Sequence, residues 1–404
     1  MMIQFLKKLW KDRSGNALII VGAALPVVVG AAGLATDTIQ WVLWKRELQR
    51  AADTAALAGV YAQFQDSESV TDAVAAHLTD NNHTGIALLS GYPDITYPGD
   101  TANYTNAVKV ELRMQQALGF SSFFLSTPPT ITATATAAMV DDGKYCVVAL
   151  NESSSPSITV GGSSNINMGC GAISNSTSAD SAVKPNGSAY TFVADPVAGV
   201  GGMPDSITGA TNIQPHHVPM KDPYAGKYPT TAPTPCNGQI KQNQSNYSPG
   251  CYRDFKFSGN GTYNFAPGTY FLNNTNFDVA GGVTIVGEGV TFILTGDNPG
   301  TVTTNGNSTI QLTAPTSGTY ANMLFIGMAS GANKITGDGA SAYDGAMYFP
   351  NGQVNVIGSS ETMTQCAMIV GSFVDFTGNS TVQNDTTDCD ADTQVAAQAV
   401  RLIG

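Results

Sequence analysis

Ser14-Gly-Asn-Ala-Leu-Ile-Ile-Val-Gly-Ala-Ala-Leu-Pro26-Val-Val-Val-Gly-Ala-Ala-Gly-Leu-Ala-Thr36 is a run of 23 residues without a charge. As a helix rising about 1.5 Å per residue it covers roughly 30 Å, the thickness of a bilayer's hydrocarbon core. Lipid offers backbone groups no water, so the run is expected to be helical throughout, with Pro26 bending the helix without breaking it. Lys7, Lys8, Lys11 and Arg13 precede it against a single acid, Asp12. That excess of cations predicts a cytoplasmic N-terminus over residues 1–13, a transmembrane helix over 14–36, and export of everything after it. The competing reading is a cleaved signal peptide, with Gly33-Leu34-Ala35 before the cleavage site. Signal h-regions, however, usually run to about 7–15 residues.

Composition points the same way. Only 12% of the 404 residues are charged, against about 25% in typical soluble domains. The formal net charge is −12 and no basic block follows the apolar run, so the chain would repel phosphate backbones and nucleic acid is not an expected partner. The six cysteines are Cys146, Cys170, Cys236, Cys251, Cys366 and Cys389. None forms a C-x-x-C pair or lies near a histidine, which argues against zinc, haem attachment or a thioredoxin-like centre. Pairing sequence neighbours gives Cys146–Cys170, Cys236–Cys251 and Cys366–Cys389, one of 15 possible connectivities. Disulfides would require an oxidising compartment such as the periplasm; buried free thiols are the alternative.

Beyond Thr36 the chain becomes amphipathic without a break. Trp41, Trp44, Leu48, Ala51 or Ala52, Ala55, Gly59 and Ala62 recur at three- and four-residue spacing through Asp37–Gln65. Trp41 and Trp44 suit a membrane–water boundary or an ordinary core equally well. One long helix is therefore expected to leave the membrane and become the spine of a small α/β domain over 37–143. A second helix is predicted at Ser69–Asn81, with Ser69 and Asp72 at capping-box spacing. Val108, Val110 and Leu112 mark one strand, and Thr130–Val140 another. Between them, Leu118–Leu125 holds Phe120, Phe123 and Phe124, which are expected in the core.

From about residue 144 short β-rich runs recur, separated by Gly, Asn, Ser and Pro. They include Cys146–Leu150, Ser157–Val160, Thr269–Leu272, Val290–Leu294, Thr309–Leu312, Asn322–Ile326, Gln353–Ile357 and Phe373–Phe376. Without intervening helices, this texture fits either a β-helix or a sandwich. Turns such as Asn260-Gly261, Gly287-Glu288-Gly289 and Asn351-Gly352 favour the β-helix, whose corners need residues tolerant of left-handed geometry. The fold class is thus α+β and all-β: a transmembrane helix, a pilin-like α/β unit, and a solenoid-like β-helix domain over 144–404. Residues near 193–248, rich in Pro, Gly and Asn, read as an irregular excursion clamped by Cys236–Cys251.

Residues 13–58 are more specific. Arg13-Ser-Gly15-Asn-Ala17, Ala24-Leu-Pro26 and Gly33-Leu-Ala-Thr-Asp37, followed by Trp41, Arg46, Leu48-Gln49 and Ala51-Ala52-Asp53-Thr-Ala-Ala-Leu-Ala58, resemble the opening of TadE/TadG-like Flp (tight-adherence) pilus-assembly proteins. The resemblance implies a pilin-like component, anchored in a bacterial inner membrane with its bulk in the periplasm, of the machinery that builds adhesive pili. It marks Gly15, Pro26, Asp37, Trp41, Arg46, Leu48, Gln49, Ala52 and Asp53 as anchor and motif residues, and other pilus-assembly proteins as partners. Processed pseudopilin-like members carry a glutamate five residues after the cleavage glycine. Here Ile20 stands at that distance from Gly15, which places the chain nearer the long, uncleaved TadG-like branch. No D-x-S-x-S metal pentapeptide of the insertion domains found in some long members is present. Pro267-Gly-Thr-Tyr270 and Gly289-Val-Thr-Phe292 also look like coils of long TadG-like proteins.

Catalytic chemistry has little support. Glycan-cleaving β-helices cluster acids or bases around a groove, yet Lys334 and Arg401 are the sole basic residues after position 260. Asp338, Asp344 and Asp375 are the acids that could converge. Asp388-x-Asp390-x-Asp392, with Asp385 before it, begins like a calcium loop. Thr393 and Ala399 then stand where an EF-hand needs Gly and Glu. His216-His217 lacks ligands at metal spacing. No catalytic residue, cofactor or metal is expected. The reading is a structural or assembly component of a pilus or adhesion apparatus. The alternative is a module binding envelope polysaccharide, and a carbohydrate-active enzyme ranks below both.

Overall fold

The computed structural model describes residues 15–65, 68–80, 87–187, 189–229, 231–241, 244–358, 362–378, 381–387, 389 and 394–403. The basic flank before Gly15 and the acids Asp388, Asp390 and Asp392 lie outside the described residues. The chain forms two compact units, one reaching to Val140 and including the segment from Val400, the other Asp141–Ala399.

In the first unit, helix α1 (Gly15–Gln65) runs 51 residues and continues through Pro26. Within its apolar half, the hydroxyls of Thr36 and Thr38 donate back to the carbonyls of Gly33 and Leu34, each at 2.7 Å, so these polar side chains are satisfied without a partner element. In its second half, Leu48, Ala51, Ala52, Ala55, Ala56 and Val60 are fully buried. Their three- and four-residue spacing makes one face, which packs on an antiparallel sheet. That sheet consists of β1 (Asp94–Thr96), β2 (Thr105–Gln115) and the first half of β3 (Thr130–Ala149). Val108, Val110, Leu112 and Met114 on β2, with Ile131, Ala133, Ala135 and Ala137 on β3, alternate inward as a strand's period of two requires. Helix α2 (Val70–Asp80) starts where the capping spacing predicts. The Asp72 amide donates to Ser69 Oγ at 3.1 Å, and that hydroxyl donates to the Asp72 carboxylate at 2.6 Å.

The second unit is a parallel β-solenoid of about ten turns. A complete coil visits three sheets in the same order. One coil, for instance, supplies Gly268–Asn273 to the first sheet, Phe277–Val279 to the second and Thr284–Gly287 to the third; the next supplies Val290–Thr295, Val302–Thr303 and Thr309–Thr313. All three ladders between these coils are parallel, which excludes the antiparallel sandwich. The expected strands fall on these ladders.

The stacking order is not the chain order. The first coil lies within the stack, because Val147–Ala149 pairs with Ala172–Ser174 on one side and with Ile369–Gly371 on the other. From there the first sheet grows to one end through Val197–Gly199 and Ile213–Gln214. The chain then leaves, re-enters at the opposite end at Gly238–Gln239, and coils back until its last turns dock on the first. The excursion is therefore residues 215–237, shorter than the composition of 193–248 suggests.

That excursion is a strap over the outer face of the first sheet. The Asn175 side chain donates to the Met220 carbonyl and accepts from its amide, both at 2.8 Å. Further along, the Tyr348 hydroxyl donates to the Asp222 carboxylate at 2.6 Å, the Tyr228 hydroxyl donates to the Leu294 carbonyl at 2.9 Å, and Cys236 is bonded to Cys251. Met220 and Tyr224 join Ile173, Ile293, Ile326, Tyr348 and Met368 in a second apolar cluster beneath it. Two first-sheet strands are thus covered on both faces: every residue of Val290–Thr295 and of Met323–Gly327 is buried. Strands covered on both faces read as continuous apolar runs, as these do.

The interior is filled by aromatics at one end, where Phe255, Phe257, Phe277, Phe292 and Phe325 stand with neighbouring ring centroids 5.0–5.8 Å apart. Tyrosines among them send their hydroxyls to backbone carbonyls, as Tyr270 does to Ala266 at 2.7 Å. Buried asparagines tie coil to coil. Asn333 accepts from Val302 and donates to Gln353, and Asn384 accepts from Ala367 and donates to Met168. The stack ends on short strands, Ile213–Gln214 and Gly238–Gln239, and on Val183–Asn186, where Pro185 offers no N–H; such edges resist pairing with another chain.

One expectation for the first unit fails. Phe123 and Phe124 are not core residues: they are 82% and 75% exposed. The interior between helix and sheet is already filled by valines and alanines, and the Leu118–Leu125 loop is held elsewhere, on α1.

Candidate membrane anchor and assembly motif

From Ile20 to Leu34, α1 presents apolar side chains left exposed among the described residues, with Ile20 at 65% and Val27 at 71% exposure. The helix is long and apolar enough to cross a membrane. A soluble domain rarely leaves so large an apolar surface bare. Gly15 opens the helix and Pro26 lies inside this bare half.

Asp37 stands where the apolar run ends and is buried, 4% exposed. It accepts hydrogen bonds from the amides of Phe120 (3.0 Å) and Ser121 (2.5 Å) and from Ser121 Oγ (2.5 Å), capping the single 3-10 turn Ser121–Phe123. Burial alone would raise its pKa; the donors from Phe120 and Ser121 outweigh it and hold the carboxyl below its ordinary value. One helical turn earlier, Gly33 lies against the Phe120 ring, and a Cβ there would come within 2.3 Å of ring carbons. Gly33 and Asp37 together dock the loop on the helix.

The remaining motif residues belong to the spine. Leu48 and Ala52 are fully buried against the sheet; Trp44 packs at the edge of that core, while Trp41 is 39% exposed and Arg46 is exposed. Gln49 Nε2 donates to Asp53 Oδ1 and to the Thr134 carbonyl, both at 2.8 Å. One turn before it, Lys45 Nζ donates to the carbonyl of Thr132, and Ile403 N donates to that of Thr136 at 2.8 Å. These carbonyls alternate along the β3 edge that β2 leaves unpaired, so Lys45, Gln49 and Ile403 satisfy backbone groups that would otherwise be free. Lys45 and Ile403 carry no motif in sequence. The signal for Lys45 is its position four residues before Gln49.

Cys146–Cys170, Cys236–Cys251 and Cys366–Cys389 are paired as sequence proximity suggests, with Cα separations of 5.8, 4.7 and 5.4 Å.

The acids singled out as catalytic candidates are dispersed. Asp338 lies in a turn and accepts from Thr309 Oγ1 and from Ser341 Oγ at 3.1 Å. Asp375 is in the second sheet and accepts from Thr159 Oγ1; Asp344 is in the third, its pKa raised by burial. His217 is buried at the start of the strap, with Nε2 3.2 Å from Asp142 Oδ2 and Nδ1 2.7 Å from the Val218 carbonyl; His216 is exposed. Among the described residues no group of three or more His, Cys, Asp or Glu side chains is arranged to hold a metal ion. A polar groove of about 700 Å³ on the solenoid is lined by Asn274, Asn276, Asn298 and Ser330, among others. Asn274 and Asn276 already accept the amides of Asn298 (2.8 Å) and Thr301 (3.0 Å).

Helix α1 thus combines a bare apolar first half with a sheet-docked second half. Residues 15–63 match the family model described as "Putative Flp pilus-assembly TadE/G-like", and this segment belongs to that family. No curated protein and no solved structure matches the chain.

Proposed function

We propose that the protein is a non-catalytic, membrane-anchored structural or assembly component of a Flp/Tad-type pilus, of the long TadG-like kind. The reading places α1 through the inner membrane with the N-terminus in the cytoplasm, and the α/β unit and solenoid in the periplasm. The observation that carries it is a coincidence in one helix: the family-matched segment contains both the uncovered apolar half and the buried spine of α1. The three disulfides suit an oxidising compartment. Small residues Gly22, Ala23, Gly30 and Ala31 in the apolar half would let another transmembrane helix approach closely. Deleting the coding sequence should lower surface piliation and adherence, and expression of the intact protein should restore both. Normal piliation in the deletion strain would refute the role.

The polar groove at Asn274–Ser330 supports a second reading, in which the solenoid grips an envelope polysaccharide. Binding of the intact protein to peptidoglycan or exopolysaccharide, lost on replacing Asn276 and Asn298, would favour it. Silence across both glycans would remove it. A glycan-cleaving enzyme would require activity abolished by Asp338→Asn, Asp344→Asn or Asp375→Asn.

A further inference from the structure

Residues 116–130 carry no charge, and within them Phe123, Phe124 and Leu125 are 82%, 75% and 51% exposed. Three adjacent large apolar side chains on a loop tip are unfavourable in water. The loop's height along α1 is fixed by two contacts. The Phe120 ring lies on Gly33, inside the uncharged run, and the amides of Phe120 and Ser121 end on the Asp37 carboxylate, the first charge after it. The exposed tip follows directly from these anchored residues, so it stands at the level where the uncharged run of α1 ends. Beyond that level Ile39, Trp41 and Leu43 remain 61%, 39% and 57% exposed, so apolar surface continues past the loop.

We propose that Phe123, Phe124 and Leu125 insert into the bilayer leaflet on the far side of the span, as a second lipid contact beside α1. This rests on α1 being the membrane span. Apolar side chains presented at an interface enter the headgroup–acyl boundary by roughly 5–10 Å, and phenyl rings have no polar atom to leave behind. The hydrogen bonds from the loop keep the Asp37 charge paired where it borders the lipid. A helix alone leaves its rotation and tilt to its neighbours; a helix and a loop tip together define the orientation of the first unit on the membrane.

The test uses the full-length protein in liposomes of phosphatidylethanolamine and phosphatidylglycerol. The native cysteines are paired, so Phe124→Cys, Phe123→Cys and Val28→Cys each introduce one labelling site for an environment-sensitive fluorophore without reductant. Quenching is read with nitroxide-labelled lipid and with aqueous iodide. The expected result is lipid quenching and iodide protection at all three positions. Lipid quenching at 28 with iodide quenching at 123 and 124 would overturn the loop contact and leave the anchor standing. Protection at 123 and 124 from both quenchers would mean that protein covers the tip, and would overturn it too. Iodide quenching at 28 as well would refute the anchor and the contact together.

Discussion

Asp37 gives its motif position a physical meaning. Its carboxylate caps backbone 83 and 84 residues away, holding a loop on the helix just beyond the apolar run. Replacing it by Ala removes the acceptor, and the Phe120 and Ser121 amides should then exchange hydrogen faster, with Asp37→Asn retaining part of the protection. The sign with pH follows from the lowered carboxyl pKa. The cap is complete above the ordinary value of 3.8 and is lost as pH falls through the lower folded value, so loop protection should be flat at neutral pH and drop in strong acid. Hydrogen exchange of peptide 118–125 measures both effects; unchanged exchange in Asp37→Ala would contradict the assignment. The sequence marks Gly33 and Asp37 as a motif, but not their partner. Nothing local in Leu118–Leu125 distinguishes aromatics that fill a core from aromatics that project, because the difference lies in a contact made across more than eighty residues.

Among the elements, α1 has two halves under different rules. In the spine half, Leu48→Ala should cost about 2–5 kcal/mol, because a fully buried side chain leaves a cavity. Ala52→Leu should cost about 1–3 kcal/mol by overpacking against the sheet. Trp41→Ala, at a side chain outside that core cluster, should change unfolding less than either; a denaturant titration in detergent separates the three. The strap is held differently. Removing Cys236 and Cys251 together should cost about 3 kcal/mol on a loop-closure argument for the 15-residue separation, and should speed proteolysis within 215–237. Cleavage unchanged from the parent would show that Asn175, Tyr228 and Tyr348 hold the strap unaided. Val290–Thr295 and Met323–Gly327 were legible because they are buried on both faces and read as apolar runs that stand out against Gly and Asn turns. The strap was legible as a composition change alone. Its attachments join Met220 to Asn175 and Asp222 to Tyr348, pairs that no periodicity links.

At the scale of the whole molecule, the solenoid is a parallel stack joined where its last turns meet its first. Asn384 sits in that joint, donating to Met168 and Ala367 and accepting from Ala367. Asn384→Ala would strand buried backbone groups at about 1–3 kcal/mol, and hydrogen exchange should quicken at Val147–Ala149 and Ile369–Gly371 before the aromatic end; uniform exchange would contradict a weak joint. The parallel β-helix itself could be read from turn chemistry, but the order of its coils could not, since each coil offers similar edges to any neighbour. The account depends above all on α1 remaining in the membrane with both units beyond it. Alkaline extraction of cell membranes, followed by protease treatment of intact spheroplasts, measures this on the protein carrying a C-terminal epitope. The account predicts that the protein stays with the membrane, keeps residues before 36, and loses its epitope to protease. Release into the soluble fraction with an N-terminus past residue 36, or an epitope protected until the spheroplasts are lysed, would contradict it.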